Sequence, residues 1–103
     1  MARVVWTFNA LDRLEAIADY IEKDSPSYVP AFLARVFDLA DSAGQFPRMG
    51  RRVPEFRDDT LREIIFQNYR IVYRIVAQDV RILTVRHSAM DPRTLASDVA
   101  DEF

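Results

Sequence analysis

A chain of 103 residues, half of them apolar and 29% charged, has the composition of a soluble globular domain, with length for one modest core and none left for a second. It contains no cysteine, which excludes disulfides and thiolate metal sites and fits a reducing cytoplasm, and no stretch reaches the ~18 apolar residues of a membrane span or forms a signal-peptide core. The net charge of −2 is uneven: residues 1–47 sum to −3, residues 48–93 to +4 through ten arginines against six acids, and residues 94–103 to −3, so the basic middle suits phosphates or an acidic partner.

Arg3–Phe8 (RVVWTF) is β-branched and aromatic and reads as a first strand. Asn9 is placed to cap the next helix, with Asp12 in its first turn. Leu11, Leu14, Ile17, Ala18 and Ile21 recur at helical spacing, while Asp12, Glu15, Asp19 and Glu22 suit a solvated face. The helix should end near Lys23, before Asp24-Ser25-Pro26. A second helix starts near Ser27 with Pro30 in its first turn. Phe32, Val36, Leu39, Ala43 and Phe46 form an apolar stripe along it, widened by Leu33 and Phe37. Gly44 and Pro47 mark its end. Two helices on a tight loop should make an antiparallel hairpin on one face of a sheet, with Leu39 buried between the second helix and that sheet.

Arg48–Thr60 has no period and contains Gly50 and Pro54, so it reads as an ordered surface loop. Then come three apolar runs, Leu61–Phe66, Tyr69–Val76 and Val80–Arg86, broken at Gln67-Asn68 and within Ala77–Asp79. They read as an antiparallel three-strand meander. With a two-residue loop at Gln67-Asn68, Ile64, Phe66, Tyr69, Ile71, Tyr73 and Ile75 share the better core face, with Arg62 near its end. The other face carries Leu61, Glu63, Ile65, Arg70, Val72 and Arg74. A second two-residue loop, at Gln78-Asp79, adds Arg81, Leu83, Val85 and His87 to it; a three-residue loop reverses that last parity. Ser88–Asp91 is a loop, and Asp91-Pro92 opens a short last helix. Its acids Asp98, Asp101 and Glu102 sit where they oppose the helix dipole, and Asp101–Phe103 should fray. The order is α+β: strand, helix hairpin, three-stranded antiparallel meander with the helices on one face, and a short C-terminal helix, as one domain spanning 1–103.

Each candidate for chemistry has an ordinary counterpart. Thirteen of the fourteen basic residues are Arg, whose forks suit carboxylate or phosphate, although codon bias explains the same excess. Arg70 and Arg74 flank Glu63 either as a cationic contact surface or as a cross-strand ion-pair network worth at most ~1 kcal/mol per pair. His87, the sole histidine, is a general-acid candidate by its ordinary pKa, yet a lone His at a strand end more often makes a structural hydrogen bond. Arg51 and Arg52 beside Gly50 suit a phosphate or target contact, with Arg86 as a third, or simply solvate a loop. Trp6 and Tyr73 read as core. One His, no Cys and scattered acids build no dedicated metal site, and no cofactor is expected.

Four stretches carry a family likeness. ALDRLEAIADYI (Ala10–Ile21), PRMGRRVPE (Pro47–Glu55), LREIIFQNYRIVYRI (Leu61–Ile75) and ILTVRHS (Ile82–Ser88) occur in the order and spacing of a known set. Together they resemble the RelE/ParE superfamily of toxins from type II toxin–antitoxin pairs, over nearly the whole chain. The resemblance implies a cognate antitoxin, ParD-like with a ribbon-helix-helix domain, bound in a hetero-oligomeric complex in the cytoplasm. It implies one of two targets. RelE-type members cleave mRNA on the ribosome, drawing on Lys, Arg, Glu, His and a Tyr near the C-terminus for base, acid and phosphate-stabilising cations. ParE-type members inhibit DNA gyrase.

Here Lys23 is the one lysine, no Tyr follows His87, and the text around Arg51–Glu55 and YRIVYR leans to the ParE-like branch. The expectation is a non-enzymatic gyrase inhibitor. The alternative is a ribonuclease using Glu63, Arg70, Arg74, Arg81 and His87, with Glu55 as another possible base. Two helices cover one sheet face. The antitoxin is therefore expected on the other, at Leu61, Ile65, Arg70, Val72, Arg74, Leu83 and Val85, unless Thr94–Phe103 folds back and fills it.

Overall fold

In chain order the elements are β1 (Arg3–Trp6), α1 (Phe8–Asp24), a 3₁₀ turn at Pro26–Tyr28, α2 (Val29–Gln45), β2 (Arg51–Arg52), β3 (Leu61–Phe66), β4 (Tyr69–Val76), β5 (Asp79–His87), a 3₁₀ turn at Pro92–Thr94 and α3 (Leu95–Ala100). The computed structural model describes residues 2–100, so Asp101–Phe103, expected to fray, lies outside the described residues. One sheet runs β1-β5-β4-β3-β2; β1 is parallel to β5 and every other neighbour is antiparallel. The meander is as the sequence indicates. Gln67-Asn68 is a two-residue loop, Phe66 faces Tyr69 and Ile64 faces Ile71. Gln67 takes a positive φ of 54°, and Ala77 one of 52°, as tight hairpin turns that match strand twist require.

Several local expectations need correction. The cap of α1 is Thr7, not Asn9: its Oγ1 accepts from the Ala10 amide at 3.1 Å and donates to the Ile82 carbonyl at 2.9 Å. Thr7 thus ties β1's exit to β5, and Asn9 is released for another task. Along α1, Ala10 and Leu14 are buried, whereas Leu11 is exposed. Along α2, Phe32, Val36, Ala40 and Ala43 are fully buried; Leu39 packs half-buried at the margin and Phe46 lies in water. Gly44, expected to stop α2, lies inside it, where a Cβ would stand 2.6 Å from Cγ2 of Val4 in β1. The Arg48–Thr60 loop conceals β2, where Arg51 pairs with Glu63 and Arg52 with Arg62.

The second hairpin turns at Ala77-Gln78, one residue earlier than expected, so β5 begins at Asp79. Tyr73 pairs with Ile82 but Val72 with Thr84, which leaves Leu83 as a β-bulge. Beyond the bulge the side-chain parity reverses. Val85 and His87 therefore face the helices, and Thr84 and Arg86 take the places on the opposite face that an uninterrupted alternation gives to Val85 and His87.

Two cores result. The larger, between the helix hairpin and the sheet, contains Phe32, Val36, Ile64, Ile71, Tyr73, Ile82 and Val85. The smaller lies on the other face: Leu61, Val72 and Leu83 are roofed by Leu95 and Val99 of α3 and by Val53, with Phe56 against it. The chain between α2 and β2 is pinned from below by Tyr73, whose hydroxyl donates to the Pro47 carbonyl at 2.6 Å and accepts from the Gly50 amide at 3.0 Å. A Cβ on Gly50 would stand 2.7 Å from that hydroxyl and 2.7 Å from the Glu63 carbonyl oxygen. Gly50→Ala is accordingly expected to cost about 1–3 kcal/mol as overpacking. Denaturant titration reads this directly; an unmoved midpoint would mean that the turn shifts aside without cost.

Candidate functional site

The polar side chains of the α3 face fall into two networks. In the first, Glu63 projects from β3 with its side chain fully buried and both oxygens occupied. Arg51 Nε donates to Oε2 at 2.6 Å, and Arg70 Nε donates to Oε1 at 2.6 Å. The two terminal nitrogens of Arg70 reach on to Glu55, at 2.8 Å each, as a fork on a carboxylate. That fork holds the Glu55 carboxyl below its ordinary range, and the same bonds hold the Arg70 guanidinium more firmly protonated. Arg74, expected beside Glu63, instead donates to Asp58 at 2.7 Å. The Asp58 carboxyl is lowered mainly by hydrogen bonds from Thr60, with Arg74 adding to them.

The second network centres on Asp98 of α3, which the sequence alone marks only as an unfavourable helix charge. Asp98 Oδ1 accepts from Arg13 at 2.9 Å and from Asn9 at 3.2 Å; Oδ2 accepts from Thr84 at 3.0 Å and from Arg86 at 3.2 Å. Arg86 is 1% exposed and also donates to the Asp91 carbonyl and the Thr94 hydroxyl. Burial weakens its hold on the proton, and Asp98 partly restores it. Arg86 is thus a structural cation clamping α3 to the sheet, not an exposed target contact. The overlooked signal is the spacing of Leu95 and Val99: i, i+4 marks the inward face of α3, and Asp98 lies on the flank of that face.

His87 is elsewhere. It is exposed on the helix side, its ring edge-on to Tyr69 with centroids 5.3 Å apart. Its Nδ1 accepts from the Ala89 amide at 3.0 Å, which assigns the proton of the neutral ring to Nε2. With Arg13, Ile17, Tyr20, Tyr69 and Val85 it borders a cleft of about 440 Å³ between α1 and the ends of β4 and β5.

The proposed catalytic residues are therefore not brought together. Glu63, Arg70 and Arg74 lie on the α3 face, Glu63 closed between two guanidiniums, and His87 lies on the helix face. Arg81 pairs with Arg74 across β4 and β5 and borders a second hollow with Arg3, Trp6 and Asp79, and Arg52 is exposed beside Asp59 at 3.8 Å. Of the residues assigned to antitoxin contact, Leu61, Val72, Leu83 and Val85 are completely buried and Arg70 nearly so, while Ile65 is half exposed. The reason is physical: α3 and Val53 fill the face that the helix hairpin leaves open, and the bulge turns Val85 inward. Among the described residues no group of three His, Cys, Asp or Glu side chains is placed to hold a metal ion, and no helix is long and apolar enough to cross a membrane.

Comparison with known proteins adds sequence and fold relatives. The family described as the ParE toxin of type II toxin–antitoxin system, parDE, matches residues 4–92. Y4kP of Sinorhizobium fredii, named as a toxin, is 41% identical over 88 residues, covering 84% of this chain and 88% of that protein. Toxin RelE2 of Caulobacter vibrioides is 39% identical over 90 residues, covering 86% and 98% respectively. Among solved structures, a chain of the chromosomal ParDE system of P. aeruginosa superposes with a TM-score of 0.71 at 18% identity. A chain of the RelBE2 toxin–antitoxin complex of Mycobacterium tuberculosis gives 0.53 at 26%. Each comparison covers 84% of this chain and 96% of the other. The first is a likeness of fold.

Proposed function

This chain belongs to the ParE toxin family of type II toxin–antitoxin systems, and from that premise we propose that it arrests growth by inhibiting DNA gyrase without catalysis and is neutralised by direct binding of a cognate antitoxin. The observation that carries the non-enzymatic reading is the division of the ribonuclease residues between two faces. RNA cleavage through a 2′-oxygen needs a base and an acid within reach of one phosphate. Of the two candidate bases, Glu63 has both oxygens taken by Arg51 and Arg70, and Glu55 has both taken by Arg70. His87 faces the opposite way. The relative named RelE2 keeps the ribonuclease reading as the second one. Its test is direct: translating ribosomes are incubated with pure protein and the mRNA ends are mapped. No new ends are expected. Codon-phased cleavage that disappears in His87→Ala would replace the gyrase reading with the ribonuclease one.

The seat proposed for the antitoxin is the helix hairpin. With the α3 face filled, the large apolar side chains still in water on α1 and α2 are Phe8, Leu11, Tyr20 and Phe37, with Tyr28 at the turn between them. An amphipathic antitoxin segment that folds on binding would bury them. An acidic segment reaching for Arg70 and Arg74 would find them engaged by Glu55, Glu63 and Asp58.

A further inference from the structure

One corner of the molecule has a composition that neither the antitoxin surface nor the two networks account for. The C-cap of α2, Phe46, is 66% exposed, and three residues later Met49 is 47% exposed. The Met49 amide donates to the Phe46 carbonyl at 2.9 Å, so the two side chains stand at the ends of one tight turn. Arg48 lies between them and β2, with Arg51 and Arg52, follows at once.

This turn is held rigidly. Tyr73 bonds both Pro47 and Gly50 from below, and Arg62 donates to the Gly50 carbonyl at 3.2 Å. Large apolar side chains on a mobile tip would be unremarkable. On a pinned turn they are preorganised, so a partner burying them loses little conformational entropy.

The charge is equally uneven. Arg48, Arg52 and Arg62 all converge on the single carboxylate of Asp59. Of these, Arg48 and Arg52 keep more than half of their side-chain surface in water, as does Asp59. The corner thus carries a surplus of guanidinium in a chain whose net charge is −2.

We propose that Phe46, Met49, Arg48 and Arg52 form the docking surface for the toxin's target, and that this target presents an acidic protein surface with an apolar pocket for Phe46. The inference rests on the toxin reading and takes that target to be a protein. Aromatic, Met and Arg side chains are the types enriched at protein–protein interfaces, and a central aromatic anchor ringed by charge is how binding energy concentrates. A nucleic-acid backbone fits less well. Asp58 and Asp59 stand among the cations, and a continuous run of phosphates would meet them. A protein surface can match the mixed signs one by one and offer Arg48 and Arg52 carboxylates in place of the one they share.

The test is growth arrest in cells induced to make the toxin without antitoxin, because that readout requires the target and not the antitoxin. Phe46→Ser with Met49→Ser removes the anchors, and Arg48→Gln with Arg52→Gln separately removes the charge. All four side chains are exposed, so each variant should unfold within the error of the wild-type midpoint. Each should raise the expression level needed for arrest about tenfold or more, the size of a lost hot spot. Arrest at the wild-type level in both variants overturns the proposal, as does loss of antitoxin binding with arrest retained. A wild type that never arrests growth removes both the toxin reading and this inference. Binding of a single-stranded RNA or duplex DNA oligonucleotide that is steeply salt-dependent in the wild type and lost in the Arg48/Arg52 variant would assign the corner to nucleic acid instead.

Discussion

Asp98→Ala is expected to lower the free energy of unfolding by about 3–5 kcal/mol, the cost of stranding a buried partner charge. Four groups donate to this one carboxylate: Arg13, Asn9, Thr84 and Arg86. Arg86 is the critical partner, because its side chain is 1% exposed and cannot turn to water. Its remaining acceptors, the Asp91 carbonyl and the Thr94 hydroxyl, are neutral. The loss should propagate. Asp98 holds α3, and α3 carries Leu95 and Val99 over Leu61, Val72 and Leu83. Equilibrium urea titration of the two proteins measures the difference. A loss below about 1 kcal/mol would show that Arg86 finds another anion or reaches solvent.

Arg70→Met should be comparably damaging, again about 3–5 kcal/mol at neutral pH, because it leaves the Glu63 carboxylate buried with Arg51 as its one cation. The effect has a pH signature. Arg70 lowers the folded-state pKa of Glu55 from an ordinary 4.5. A lowered folded pKa contributes stability that is fully present above 4.5 and is lost as pH falls through the folded value. The gap between wild type and Arg70→Met should therefore be widest at neutral pH and should narrow once pH drops below that ordinary value. A gap constant from pH 7 to pH 3, compared by urea titration at each end, would mean that Arg70 acts through packing of its stem and not through the carboxylates.

The parts of the fold legible in the sequence are those set by local chemistry. The runs Leu61–Phe66 and Tyr69–Val76 are β-branched and aromatic with one polar break, and the register of their hairpin follows from it. The helices follow from their apolar periods and from Pro26 and Pro30. What escaped was decided by neighbours distant in sequence. Nothing in Arg81–Arg86 marks Leu83 as a bulge. It falls where β1 stops pairing with β5 after Ile82 and α1 takes over that edge, and its single extra residue moved Val85 and His87 to the other face. β2 is two arginines with little intrinsic strand preference, held by pairing to β3. The α3 face was recognised as apolar among charges, but Leu95 and Val99, which cover it, were legible only as an alternative.

The candidate site suffered for the same reason. Residue type alone marks Glu63, Arg70 and His87 as individuals, and the separation of His87 from the other two depends on that bulge. Asp98 was missed because its role exists only once Asn9, Arg13, Thr84 and Arg86 converge on it.

The most direct measurement of the central claim is a supercoiling assay with purified gyrase, relaxed plasmid and this protein, with and without its antitoxin. Loss of supercoiling that rises with toxin concentration and is reversed by stoichiometric antitoxin is the expected result. Undiminished supercoiling at toxin concentrations that cut mRNA on translating ribosomes would contradict it.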